Sequence, residues 1–284
     1  MSTTLDKVDV QGPTFGERLA MVVSDSVTIA KRNVIKIKRV PDVLIFTTLS
    51  PIMFVLLFAY VFGSAITVEG VEGGYREFLI AGIFAQTVVF GATFTGAGLA
   101  EDMQKGIIDR FRSLPMAPSA VLVGRTISDV VINVVSLVVM SLTGLVVGWR
   151  IRGSFLDAVL AYVLMLLFAY ALSWMMAVVG LLVRAPEVFN NASFMVIFPL
   201  TFLSNAFVPL EGMPGPLKVF AEWNPVSALT QAVRDLFGNT NPMAPPSDAW
   251  PMQHPVVTTL IWIVVILVVF VPLAQVQYKK SVSR

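Results

Sequence analysis

Val256–Val276 reads VVTTLIWIVVILVVFVPLAQV, 21 residues without a single Asp, Glu, Lys, Arg or His. About 20 apolar residues in a helix cross the hydrocarbon core of a bilayer, where each backbone N–H and C=O must be bonded inside its own segment. Five stretches upstream have the same character: 43–63, 78–100, 130–149, 158–183 and 188–208. The chain of 284 residues is 56% hydrophobic and 13% charged, with a mean hydropathy of +0.79, where a soluble domain carries roughly 25% charged residues. The sequence therefore predicts an all-α membrane protein with six transmembrane helices. Residues 1–41 form an N-terminal segment before the membrane domain 42–278, and 279–284 form a tail.

Cys is absent, which excludes disulfides, thiolate metal sites and thiol nucleophiles. His254 is the only histidine and falls in the Pro-rich segment 239–255, where it reads as a solvated side chain. No metal site, nucleic-acid partner or catalytic residue is expected.

With an even number of spans, both termini share one side. The N-terminal segment, 101–129, 184–187 and the tail together hold 15 of the 20 Lys and Arg residues. The positive-inside bias then puts both termini of the multi-pass protein in the cytoplasm. Residues 15–36 read as an amphipathic helix. With Phe15 set at 0° and about 100° per residue, Leu19, Val22, Val23, Ser26, Ile29, Ala30 and Val34 fall on one side, and Glu17, Arg18, Asp25, Lys31, Arg32 and Lys36 on the other. Such a helix suits the headgroup layer, its Lys/Arg face toward anionic lipid, or a partner protein beneath the membrane.

The six stretches hold no Asp, Glu, Lys, Arg or His, which disfavours an ion-coupled carrier. Their polar members are neutral, among them Thr47, Gln86, Asn133, Ser204 and Asn205, and Phe54, Phe90, Phe94, Phe198 and Phe202 run beside them. Helix-bonded Thr and Ser and lipid-facing Phe account for most such residues. A neutral, Phe-lined cavity would equally suit an amphipathic or lipid-like cargo. Thr47, Phe54, Gln86, Phe90, Phe94, Phe198, Phe202 and Asn205 are the candidate pathway residues.

Between the second and third stretches, Ile107, Ile108, Phe111 and Leu114 keep helical spacing opposite Asp109, Arg110 and Arg112, and Pro115 ends the turn. This is a short amphipathic helix or an ordinary basic connection. Arg125 and Asp129, four residues apart, read as an ion pair at the mouth of the third span. Before the last span, Asn224 and Pro225 cap and begin a helix with Val226, Leu229, Val233 and Leu236 on one stripe, and Gly238 ends it. A shorter helix, 216–223, precedes it and presents Leu217, Phe220 and Trp223.

Two stretches carry a resemblance: KGIIDRFRSLPMAPSAVLVGRTISD (Lys105–Asp129) and FPLTFLSNAFVPLEGMPGPLKVFAEWNPVSALTQAVRDLF (Phe198–Phe237). The chain resembles the permease subunits of ABC-2 type exporters, in particular the daunorubicin-resistance type. The resemblance implies a coupling helix seated in a separate ATPase subunit, with Gly106, Asp109, Arg110, Phe111, Arg112, Leu114 and Pro115 at the contact. It implies re-entrant external helices as a gate, with Pro209, Phe220, Trp223, Asn224 and Pro225 in it. The chain contains no GxxxxGK[ST] loop, so ATP and Mg would be bound by two copies of the partner ATPase. A second permease copy and an amphipathic, drug-like cargo are further expectations. A lipid or glycolipid cargo, an ion-coupled carrier and a membrane scaffold are the alternatives.

Overall fold

The computed structural model describes residues 15–39, 41–57, 60, 74–112, 118–183, 185–240 and 247–282, and every regular element among them is helical. In chain order these are α1 (Phe15–Arg39), α2 (Pro41–Leu57), α3 (Gly74–Gly91), α4 (Thr93–Gln104), α5 (Ile107–Arg112), α6 (Pro118–Val147), α7 (Phe155–Leu182) and α8 (Pro186–Phe202). A 3₁₀ turn (Leu210–Gly212) leads to α9 (Gly215–Trp223), α10 (Pro225–Phe237), α11 (Trp250–Gln253) and α12 (Pro255–Val282). Among the described residues four helices are long and apolar enough to cross a membrane: Glu77–Gln104, which joins α3 and α4, Ser119–Val147, Phe155–Leu182 and Pro255–Lys280. The first and fifth predicted stretches fall on α2 and α8, described over 17 residues each.

The helices and the predicted stretches have different ends in three places. The second stretch runs on past residue 100 to Gln104, because Ala92, between α3 and α4, still donates to the Val88 carbonyl at 3.1 Å and nothing stops the helix until Gly106. The third begins at Pro118, not 130, so Arg125 and Asp129 lie inside a long helix rather than in a loop. Proline suits that first position, where its missing N–H is no loss. The fifth ends at Phe202, short of 208: Pro199 lies in its last turn and Leu203 closes it on the Pro199 carbonyl at 2.9 Å.

The bundle is organised around α7, which packs on α4, α6, α10 and α12. Lipid tails give apolar helices no hydrophobic reason to associate, so close approach through small residues does much of that work. Where α4 crosses α7, a Cβ on Gly180 would lie 2.4 Å from the Gly96 carbonyl oxygen. The outward sides of α7 and α12 expose Leu156, Leu160, Val163, Val264, Val265 and Val268, as lipid-facing surfaces should.

The N-terminal helix lies along α6 instead of standing alone at a surface. Ser26, Ile29, Ala30 and Asn33 form the buried stripe. Gly124 of α6 receives it, since a Cβ there would meet Ile29 Cβ at 2.6 Å and the Ser26 carbonyl oxygen at 2.7 Å. Asn33 Nδ2 donates to Ser128 Oγ at 3.3 Å. Lys31 and Arg32 stay exposed on the charged side, and Val23 and Val27 are exposed on a neighbouring flank.

Candidate functional site

The joined helix α3–α4 carries a buried carboxylate near each end, Glu77 and Asp102, and each anchors a polar cluster. At the Asp102 end, Arg125 Nη1 lies 3.8 Å from Asp102 Oδ2, and Nη2 donates to the Phe94 carbonyl at 3.4 Å. The ion pair expected with Asp129 forms across helices instead. Asp129, 2% exposed, accepts from the Thr95 hydroxyl of α4. Asn133, one turn further along α6, donates to the Asp129 carbonyl at 2.9 Å. Thr95 belongs to the second predicted stretch, so charge does reach the level of the apolar spans. A lone buried charge would be prohibitive, and it is the crossing of α4 and α6 that supplies each one with partners.

Directly beyond this cluster the chain reverses. Lys105 and Gly106 bond to the Glu101 and Met103 carbonyls at 3.0 and 3.1 Å. Gly106 has φ of 63°, a left-handed conformation that a β-carbon would strain. The Glu101 carboxylate, bonded to Lys105, holds that ammonium above its ordinary range. α5 then turns Ile108 inward, 4% exposed, onto a cluster of Leu99, Val121, Leu122, Trp174, Leu181 and Tyr278. α5 thus packs on α4 and α12, and its Ile108 joins an apolar cluster that also holds residues of α6 and α7. Arg110 is exposed. The side chains of Asp109, Phe111 and Arg112, all of Leu114 and Pro115, and the side chains of Phe15, Arg18, Leu19 and Thr47 lie outside the described residues.

At the Glu77 end, Arg152 Nε and Nη2 donate to the two Glu77 oxygens at 3.1 and 3.0 Å. Asn239 Nδ2 donates to Glu77 at 3.2 Å, and its Oδ1 accepts from Trp149 Nε1 at 2.9 Å. Beneath them Phe84, Trp149, Tyr162 and Phe237 pack ring against ring, centroids 5.2 to 6.2 Å apart.

α10 begins and ends where its sequence signals stand. Asn224 Oδ1 accepts from the Val226 N–H at 2.8 Å, and Gly238, with φ of 70°, closes the helix. Its polar side is buried too. Asn224 Nδ2 donates to the Leu200 and Leu203 carbonyls at 2.8 and 2.9 Å, satisfying the open end of α8. Ser227 Oγ accepts from the Asn205 N–H at 3.1 Å, and Gln231 Oε1 accepts from Asn205 Nδ2 at 3.3 Å. Arg234, 2% exposed, donates to the Phe78 carbonyl at 3.1 Å and to those of Asn205 and Ala206 at 2.8 and 3.3 Å. Its guanidinium carbon sits 3.6 Å from the centre of the Phe78 ring. Sequence reading counted Arg234 among the external basic residues. The missed signal was the recurrence of Asn224, Ser227, Gln231 and Arg234 at intervals of three, four and three, a second stripe beside the apolar one.

Residues 26–237 match the family described as ABC-2 type transporter. The chain belongs to the ABC-2 type transporter family. This ABC-2 chain is 37% identical to the daunorubicin resistance ABC transporter permease protein DrrB1 of Streptomyces coeruleorubidus, over 79% of its own length and 80% of that protein's. It is 25% identical to a probable doxorubicin resistance permease, DrrC, of Mycobacterium tuberculosis, over 79% and 77% of the two chains. A putative transport permease, ycf38, of Cyanophora paradoxa is 23% identical over 77% and 76%. The ABC-2 chain is thus an all-helical, multi-pass membrane protein related to drug-resistance permeases.

Among the described residues, the expected pathway residues of this ABC-2 chain fall on separate elements. Gln86 is buried on α3, while Phe54 is half-buried on α2 and lines an open apolar hollow of about 380 Å³ with Leu49, Ser50, Met53 and Leu57. Phe90 is half-buried against the main core, and Phe94 is half-buried beside Arg125. Phe198 and Phe202 belong to an open ladder on α8: Phe194, Phe198, Phe202 and Phe207 stack at 5.0, 4.3 and 5.3 Å, the first three exposed. Asn205 is held by α10. Phe220 and Trp223 are exposed on α9, and Pro209 precedes the 3₁₀ turn.

Proposed function

We propose that this chain is the membrane-spanning permease subunit of an ATP-driven exporter of amphipathic, drug-like molecules, powered by a separate ATPase. The observation that carries the reading is the family match together with α5, a short helix bearing exposed Arg110 that follows a left-handed turn at Gly106, packs on α4 and α12, and places Ile108 in an apolar cluster shared with α6 and α7. A push on α5 from an ATPase subunit would reach α4 and α12 directly and α6 and α7 through that cluster. Gly106, Asp109, Arg110, Phe111, Arg112, Leu114 and Pro115 form the proposed docking surface.

In this reading six helices cross the bacterial plasma membrane, with α2 and α8 as the first and fifth, both termini are cytoplasmic, and the Asp102 end is the inner end. Two permease copies and two ATPase copies form the working unit. Phe15, Arg18, Leu19, Lys31 and Arg32 place α1 at the inner surface, where the exposed Val23 flank meets lipid and the charged side meets water or the ATPase. Cargo moves along the open Phe54 and Phe198–Phe202 surfaces, with Thr47, Gln86, Phe90 and Phe94 nearby, where two copies face one another. Recognition there rests on apolar area and shape, with no charge to select an ion. Cargo leaves past the outer end, where Pro209, Phe220, Trp223, Asn224 and Pro225 stand. The work comes from the ATPase's different affinities for ATP in two conformations, which biases the permease between inward and outward states.

Co-purification tests the docking claim. The chain extracted in mild detergent should bring down an ATPase, and Arg110→Glu with Phe111→Ala should lose it while the permease remains folded. Recovery of the permease alone, or an ATPase that stays bound to the double variant, contradicts the reading.

A further inference from the structure

We infer that the outer end is divided into a fixed plug and a moving lid: α10 with the turn after α8 is the plug, and α9 alone moves. This deepens the exporter reading above and rests on it for the direction of cargo. The plug is defined by the stripe Asn224, Ser227, Gln231 and Arg234, every member of which bonds to residues 200–206. Arg234 adds the start of α3 through the Phe78 carbonyl. On the other side of the same turn Gly82 presses so closely that a Cβ would stand 1.9 Å from the Ala206 carbonyl oxygen. Val226, Leu229 and Val233 complete the burial of α10. Swinging α10 outward would leave a guanidinium and several carbonyls buried without partners, so it cannot open by small steps.

α9 has none of this. It starts after Pro209 and Pro214, which fix extended backbone at φ of −58° on either side of the 3₁₀ turn. It ends at Asn224, an extended residue between two helices. Leu217, Val219, Phe220 and Trp223 are exposed, and only Ala221 and Glu222 are buried. Among the described residues its side-chain tie to the rest of the chain is Glu222, which accepts from Ser247 Oγ at 2.9 Å. A rigid helix between two extended joints, with one such bond among the described residues, can hinge while its neighbour stays still.

The chain contains no cysteine, so paired cysteines report without background. In one variant Asn205→Cys is combined with Ser227→Cys, in another Glu222→Cys with Ser247→Cys. Each is placed in the complete permease–ATPase complex in vesicles and closed with a short, reducible thiol cross-linker. Measured against the same variant before closure, daunorubicin movement should be unchanged by closing the first pair, be lost on closing the second, and return on reduction. Loss on closing the first pair, or survival with the second closed, overturns the division. If no variant and not the natural chain moves daunorubicin with ATP, it is the exporter reading that has failed. Amide hydrogen exchange on the whole chain then decides the lid without any cargo: α9 should exchange well before α10, and equal protection of the two helices overturns the inference.

Discussion

Gly98 of α4 faces the guanidinium of Arg125 of α6 so closely that a Cβ on Gly98 would lie 1.3 Å from Nη2. The missing side chain is the space the charge occupies. Filling it does not meet rigid backbone, but the arginine is held by Asp102 and the Phe94 carbonyl and cannot move without losing both.

Gly98→Ala should therefore destabilise the chain by about 1–3 kcal/mol, the usual range for overpacking. Thermal unfolding in detergent checks it: Tm should fall clearly below that of the natural chain. Gly16→Ala, with nothing within 4 Å of its added carbon, is the control and should not move it.

Removing the charge itself is more severe. Arg125→Met leaves Asp102 and Asp129 buried without their cation and should cost about 3–5 kcal/mol, as for other broken buried pairs. Adding Asp102→Leu should restore part of that loss, because one stranded carboxylate is gone. A double-mutant cycle on unfolding midpoints measures the coupling, and simple additivity would mean the two side chains do not interact.

The helices were legible in the sequence because apolar length is a strong signal, and Asn224, Pro225 and Gly238 are local signals that need no tertiary knowledge. The ends of the spans were not. Charges at 102, 125 and 129 look like loop residues when read alone, yet they continue helices because each finds its partner on a neighbouring helix, while Glu101 pairs with Lys105 one turn on. The same gap hid Arg234. Its position beside the apolar stripe reads as solvated until the turn after α8, more than 20 residues earlier in the chain, is seen to lie against it. The amphipathic reading of α1 placed Ser26, Ile29 and Ala30 on one side, where they are buried, but it left out Asn33, which joins them, and included Val23, which is exposed.

Asn224 performs two tasks with two atoms, and substitution can separate them. Asn224→Ser keeps a neutral oxygen that can cap α10 but loses the amide that bonds Leu200 and Leu203. Asn224→Ala loses both. The alanine variant should lose about 1 kcal/mol from the cap alone, more with the carbonyls of α8 left open. Unfolding midpoints should run natural, then Ser, then Ala, and equal values for the two variants would mean the cap contributes nothing.

Ile108 offers a separation of assembly from work. Ile108→Ser withdraws the side chain that seats α5 in the apolar cluster shared with α4, α6, α7 and α12 and leaves Arg110 in place. The ATPase should still co-purify, while ATP-driven transport is lost. Loss of the ATPase together with transport would mean that Ile108 serves docking rather than transmission.

The claim at the centre of this account is that the chain forms a path and a separate ATPase supplies the work. The most direct measurement is daunorubicin uptake into inside-out vesicles that carry the permease alone, the ATPase alone, or both. ATP-dependent uptake should appear only with both present, and should vanish with Arg110→Glu and Phe111→Ala. Uptake by the permease alone, driven by an ion gradient and indifferent to ATP, would contradict it.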